Sequence, residues 1–152
     1  MMISITCSES VTIPSTEKLN EKLEMILHHL QYSEHFLSVY FTNDEEIAEY
    51  NHQYRNFAKA TDVLSWSYLE DDSQSQHVGD MMISMDTAYR QAEQNGWDLM
   101  TEILRLCVHG MVHIVGYDHQ TPEEERKMLS LEKKLLALLG LQEIYPEDET
   151  IL

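Results

Sequence analysis

His109, His113 and His119 stand four and then six residues apart in the run Cys107–Val108–His109–Gly110–Met111–Val112–His113–Ile114–Val115–Gly116–Tyr117–Asp118–His119. Residues four apart on an α-helix lie about one turn apart on nearly the same face, so His109 and His113 can aim their imidazoles at one point. A straight helix would carry a residue six further on away from that point. Gly116 offers the break, because glycine tolerates the left-handed backbone that ends helices. His119 can then return to complete three nitrogens around a metal. Three protein ligands with an open fourth position for water is the geometry of a catalytic zinc site.

The plainer alternative is that these histidines pack or face solvent on an ordinary helix. A helical wheel from roughly Trp97 to Val115 weighs against it. Ile103, Leu104, Cys107, Val108, Met111, Val112, Ile114 and Val115 cover one broad apolar arc, and His109 and His113 share the remaining narrow face with Glu102 and Arg105. The spacing matches the long zinc motif of metzincin peptidases, in which a glutamate general base follows the first histidine. Gly110 stands there instead and cannot accept a proton. The pattern thus supports one Zn2+ per chain and metal-assisted hydrolysis of another kind than peptide cleavage.

The elements that must hold these residues can be read in order. Ile3, Ile5 and Cys7 alternate with polar residues as a first strand. Pro14 and Ser15–Thr16 open a helix whose stripe of Leu19, Leu23, Ile26, Leu27 and Leu30 runs to about Gln31. His28 and His29 are adjacent on it, face different directions and make poor joint ligands. Leu37, Val39 and Phe41 alternate in a second strand, and Asn43 with Glu46 forms a capping box for a short helix reaching about Tyr54. A loop then carries Arg55 and Lys59, and Val63–Leu64–Ser65–Trp66 reads as a third strand. After the acidic connection 69–76, Val78 to Ser84 makes a fourth. A helix starts at Asp86 or Thr87, runs through Ala92 and closes at Asn95–Gly96, and the long histidine helix follows. Thr121–Pro122–Glu123–Glu124 supplies an N-cap, a first-position proline and a capping-box glutamate for the last helix. Its apolar face is Leu129, Leu131, Leu135, Leu136 and Leu139; Gly140 ends it, and Ile144 to Leu152 is an acidic, loose tail. The expected fold is α+β: a small mixed four-stranded sheet packed by about five helices, the histidine helix central, with residues 1–152 forming a single domain.

At 152 residues the chain is large enough to bury a real core, and its 43% hydrophobic and 24% charged residues are ordinary for a globular protein. No apolar run approaches the ~20 residues that a membrane-spanning helix needs. The N-terminus lacks the basic and apolar regions of a signal peptide. Two cysteines imply no disulfide framework and a reducing compartment, with Cys107 a buried thiol rather than a ligand. The net charge of −17 argues against broad nonspecific nucleic-acid binding, but not against a local basic cleft. Arg55 and Lys59 are notable there, although surface cations usually only solvate; a planar guanidinium is suited to gripping phosphate oxygens in bidentate fashion.

Two stretches together resemble the YbeY family of bacterial endoribonucleases. His109-Gly-Met-Val-His113-Ile-Val-Gly-Tyr-Asp-His119 is similar to that family's H-G-x-x-H-x-x-G-[YH]-D-H signature. Asn51-x-x-Tyr54-Arg55 followed by Thr61-Asp62-Val63-Leu64-Ser65 resembles its other hallmark, and Gly79-Asp80-x-x-Ile83-Ser84 a third, weaker one. The resemblance covers roughly residues 51 to 119. It implies a zinc-dependent, single-strand-specific endoribonuclease of 16S rRNA 3′-end maturation and ribosome quality control, located in the cytoplasm. It also implies single-stranded RNA and the ribosome or ribosome-associated proteins as partners, with no membrane and no DNA expected. Carried over by position, His109, His113 and His119 would hold the zinc and Arg55 would be the catalytic arginine of the cleft. Trp66–Ser67 departs from the family's usual phenylalanine–proline, a change in packing. By its position between Tyr117 and His119, Asp118 could support the ligands from behind, act as a base or simply make the turn, the first and last being favoured. Two other readings remain: a zinc hydrolase of peptides or small esters, and a ribosome-associated binding factor with a structural zinc.

Overall fold

The computed structural model describes residues 2–55, 60–69, 76–141 and 144. Four strands, β1 (Ile3–Cys7), β2 (Phe36–Thr42), β3 (Val63–Ser67) and β4 (His77–Ser84), form one sheet in the order β1-β2-β4-β3. β1, β2 and β4 run parallel, and β3 lies antiparallel to β4 at an edge. Five helices surround it: α1 (Thr16–His29), α2 (Asp44–Arg55), α3 (Met85–Asn95), α4 (Leu99–Ile114) and α5 (Pro122–Leu138). The expected α+β fold is the observed one. Among the described residues no helix is long and apolar enough to cross a membrane.

The local signals act as their chemistry dictates. The Ser15 hydroxyl accepts from Lys18 N, the Asp98 carboxylate from Thr101 N, and Thr121 and Glu124 close a reciprocal capping box. Gly96 takes φ 74° and stops α3. The other expected box closes only in part. Asn43 Oδ1 accepts from Glu46 N at 2.9 Å, while the Glu46 carboxylate takes hydrogen bonds from the Tyr40 and Thr42 hydroxyls. That choice ties the start of α2 to β2.

α4 occupies the centre, packed against β3, β4, α1, α3 and α5. Ile103, Cys107, Val108 and Val112 on it are fully buried, and each such side chain contributes about 1.5–3 kcal/mol for the larger ones. Two glycines set how closely it approaches the sheet. A Cβ on Gly110 would run into the Met81 thioether, and one on Gly79 into the Trp66 carbonyl oxygen and Ile114. Ser67 adds a direct tie, its hydroxyl donating to the Ile114 carbonyl at the end of α4 at 2.8 Å. The departure at Trp66–Ser67 is therefore structural: Trp66 meets Tyr54 edge-to-face at 5.8 Å, and Ser67 holds the helix end.

Three expectations need correction. Arg55 is not on a loop but is the last residue of α2, one residue past the expected end near Tyr54, where Tyr54 packs on Tyr50 and Trp66. Glu102 does not share an open polar face; it is fully buried, where Trp97 Nε1 and the Arg105 guanidinium satisfy its carboxylate at 2.6–3.0 Å. Ile144 is not loose but packs into the core at 7% exposure. Lys59, the stretch 70–75 and the tail beyond Ile144 lie outside the described residues.

The two glycines predict different costs. Gly79→Ala forces backbone apart and should destabilise the fold by about 1–3 kcal/mol. Gly110→Ala meets only the mobile end of Met81 and gains about 1 kcal/mol of helix propensity, so its net change should be small. Urea denaturation of the two variants checks this; equal midpoints would show that the sheet yields as easily as a methionine tip.

Candidate metal centre

The last turns of α4 deliver His109 and His113 side by side, their ring centroids 5.7 Å apart. Val115 ends the helix, Gly116 takes φ 111°, and Tyr117 N returns to the Val112 carbonyl at 3.2 Å. That tight reversal brings His119 back, 5.3 Å from His113 and 6.3 Å from His109 between centroids. One ligand atom from each of the three rings lies within 4.8 Å of the other two. Three neutral imidazoles at that spacing fit a borderline-soft divalent cation such as zinc, and equally other imidazole-binding metals. Cys107, buried and free, takes no part, and burial pushes its thiol pKa up.

Glu132 on α5 is the residue that sequence reasoning missed. It is only 4% exposed, and its carboxylate sits 3.1 Å from His109 Nδ1. A carboxylate on one ring nitrogen fixes the tautomer, orients the ring and leaves the other nitrogen free as a ligand. The Glu132 hydrogen bond, opposed by burial, raises the His109 pKa. Burial, followed by the charges of His109 and His119, lowers that of His113. Asp118 behaves as a turn residue, its carboxylate accepting from His119 N at 2.7 Å.

Arg55 comes to the same place from the other side. α2 is anchored at its start by Asp44, whose carboxylate accepts from Ser84 Oγ, Thr87 Oγ1 and Arg90 at 2.6–2.9 Å. Burial works to raise the Asp44 pKa, but those hydrogen bonds outweigh it and hold the group below the usual range. Ile47 is buried against Leu64 and Met82, and the far end of α2 lies over edge strand β3. Arg55 thus shares with His109, His113 and His119 the wall of a cleft of about 280 Å³, together with Thr61, Asp62, Val63, Ser65 and Gly110. Asp62 is held there by Val63 N at 2.8 Å and Gln91 Nε2 at 3.3 Å. The arrangement joins a cation, three metal-competent nitrogens and small hydroxyls in one hollow. Gly110 also lines the cleft, and glycine offers no side chain that could act as a base there.

Known proteins resemble the chain over most of its length. The family model described as Endoribonuclease YbeY matches residues 4–140. The chain is 44% identical over 125 residues to Endoribonuclease YbeY of Aquifex aeolicus, covering 82% of this chain and 83% of that one. It is 36% identical over 144 residues to Endoribonuclease YbeY of Ligilactobacillus salivarius, covering 80% and 91%. The solution structure of TM1509 from Thermotoga maritima superposes with a TM-score of 0.60 at 24% identity over 91% of this chain and 92% of that one, which shows the shared fold.

The centre predicts a graded loss of metal. His113→Ala should abolish binding of the single ion, read by elemental analysis of untagged protein beside the wild type. Glu132→Gln keeps the volume and removes the charge, and should weaken affinity by about 10–100-fold in a chelator competition. Unchanged affinity in the glutamine variant would mean that His109 is oriented by packing alone.

Proposed function

The chain belongs to the YbeY family of endoribonucleases, and from that premise we propose that it is a zinc-dependent endoribonuclease cutting single-stranded RNA. Its place would be 16S rRNA 3′-end maturation and ribosome quality control in the cytoplasm, with residues 1–152 acting as one hydrolase domain. The observation that carries the reading is the meeting of Arg55 with His109, His113 and His119 in one small cleft.

His109, His113 and His119 would hold the zinc, which when bound supplies Lewis-acid polarisation of a phosphoryl oxygen and activation of water. Glu132 keeps His109 aimed and in one tautomer. Arg55, exposed at the end of α2, pairs with phosphate oxygens and meets the negative charge that develops on them in the transition state. The cleft is small, which suits a single flexible strand rather than a stiff duplex. Gly110 weighs against peptide hydrolysis, since glycine cannot supply the general base of that chemistry.

Arg55→Ala should fold, keep its metal and lose RNA cleavage by about 100-fold or more, the scale of removing one transition-state donor. Retained cleavage in that variant would remove the arginine from the mechanism. Cleavage lost only together with metal would assign it a structural role. An RNA with a single 2′-deoxy position at the scissile site separates two nucleophiles. If it survives intact, the substrate's own 2′-hydroxyl attacks; if it is cut, water does.

A further inference from the structure

A protein of net charge −17 must find some local means of holding a polyanion. The distribution of its ten Lys and Arg residues offers one. Arg90 is paired with Asp44 at 2.9 Å and Arg105 with the buried Glu102 at 2.6 Å, so neither is available. Four others, Arg126, Lys127, Lys133 and Lys134, lie on α5. Three of them, Arg126, Lys127 and Lys134, line a groove of about 370 Å³ with Tyr117, Ser130 and Leu131. Lys127 and Lys134 are seven residues apart on one helix face, about 10 Å along the axis. Among the described residues, Arg126 and Lys134 form no ion pair. Lys127 has only an exposed i,i+4 contact with Glu123 at 3.4 Å, a pair of little worth that a phosphate can displace.

The groove neighbours the metal centre through two elements. Tyr117, 39% exposed, belongs to the reversal after Gly116 and precedes His119 by two residues, so their Cα atoms are within about 7 Å. α5 also presents Glu132 to His109 from its inner side while it carries the cations on its outer side. One helix therefore supports the ligands and borders the groove.

We propose that this groove on α5 holds the RNA strand beside the cleavage site, Arg126, Lys127 and Lys134 contacting phosphates and Tyr117 stacking on a base. The assignment rests on the nuclease reading above and names the surface that reading lacks. Cations spaced along a groove track a backbone, and an aromatic ring at its end takes any base, which yields binding without sequence preference. The rest of the acidic surface repels RNA and confines it to this path.

The test measures fluorescence anisotropy of a labelled, cleavage-resistant phosphorothioate single-stranded RNA over a range of salt, using the metal-loaded full chain. R126Q/K134Q should weaken binding by about tenfold at 0.1 M salt and lower the slope of log K against log salt by about 1.4, since each single-strand phosphate contact contributes about 0.7. K18Q/K22Q on α1 makes the same change in net charge and should alter binding less than about twofold. Tyr117→Ala should weaken binding and Tyr117→Phe restore it. Equal effects of the two double variants, or none from R126Q/K134Q, would overturn the groove. A wild type that binds RNA with the expected slope but never cuts it would sink the nuclease reading and leave the groove standing. A wild type that cuts RNA, with R126Q/K134Q unaltered in Kd and KM, would sink the groove alone.

Discussion

The close seating of α4 on the sheet is the constraint from which the site follows. A helix that is apolar over most of its circumference must be covered on nearly every side, and β3, β4, α1, α3 and α5 together cover it. Gly110 and Gly79 remove the side chains that would hold the layers apart, and Ser67 pins the helix end to the edge strand. With the helix lowered in this way, its one polar face, His109 and His113, opens beside β3 rather than toward bulk solvent.

Around that seat, each neighbour contributes one function. The Gly116 reversal returns the third imidazole. α5 brings a buried carboxylate to the first. α2, anchored by Asp44 at its start and by Tyr50, Tyr54 and Trp66 near its end, places a guanidinium across the hollow. Helices hold His109, His113, Glu132 and Arg55, while His119 comes from the short segment between α4 and α5 that the Gly116 reversal turns back. The electrostatics are equally divided. On an acidic body, Arg55 lines the cleft, and Arg126, Lys127 and Lys134 line the groove on α5.

Much of this was legible in the chain itself. Caps and stops are short-range chemistry: Ser15, the Thr121–Glu124 pair, Gly96 and Gly140 act on backbone groups a few residues away, so their types alone mark where helices begin and end. The three histidines belong to the same class. Their meeting needs only helical spacing and a glycine turn, both local. Glu46 shows the limit, since a capping residue can be drawn off by partners from another strand, here Tyr40 and Thr42.

The sequence by itself determined the element types, the convergence of His109, His113 and His119, and the exclusion of a base at Gly110, because all of these depend on contacts within about ten residues. Only the tertiary structure decided the partner of His109. Glu132 lies 23 residues away on a helix whose visible pattern was its leucines, and an acidic residue among them carries no local mark of burial. Tertiary packing likewise decided that Glu102 is internal, through Trp97 and Arg105, and that Ile144 joins the core. It also carried Arg55, far from the histidines in the chain, to their cleft. Long-range placement follows from which apolar faces cover one another, a property of the whole fold that no single stretch encodes.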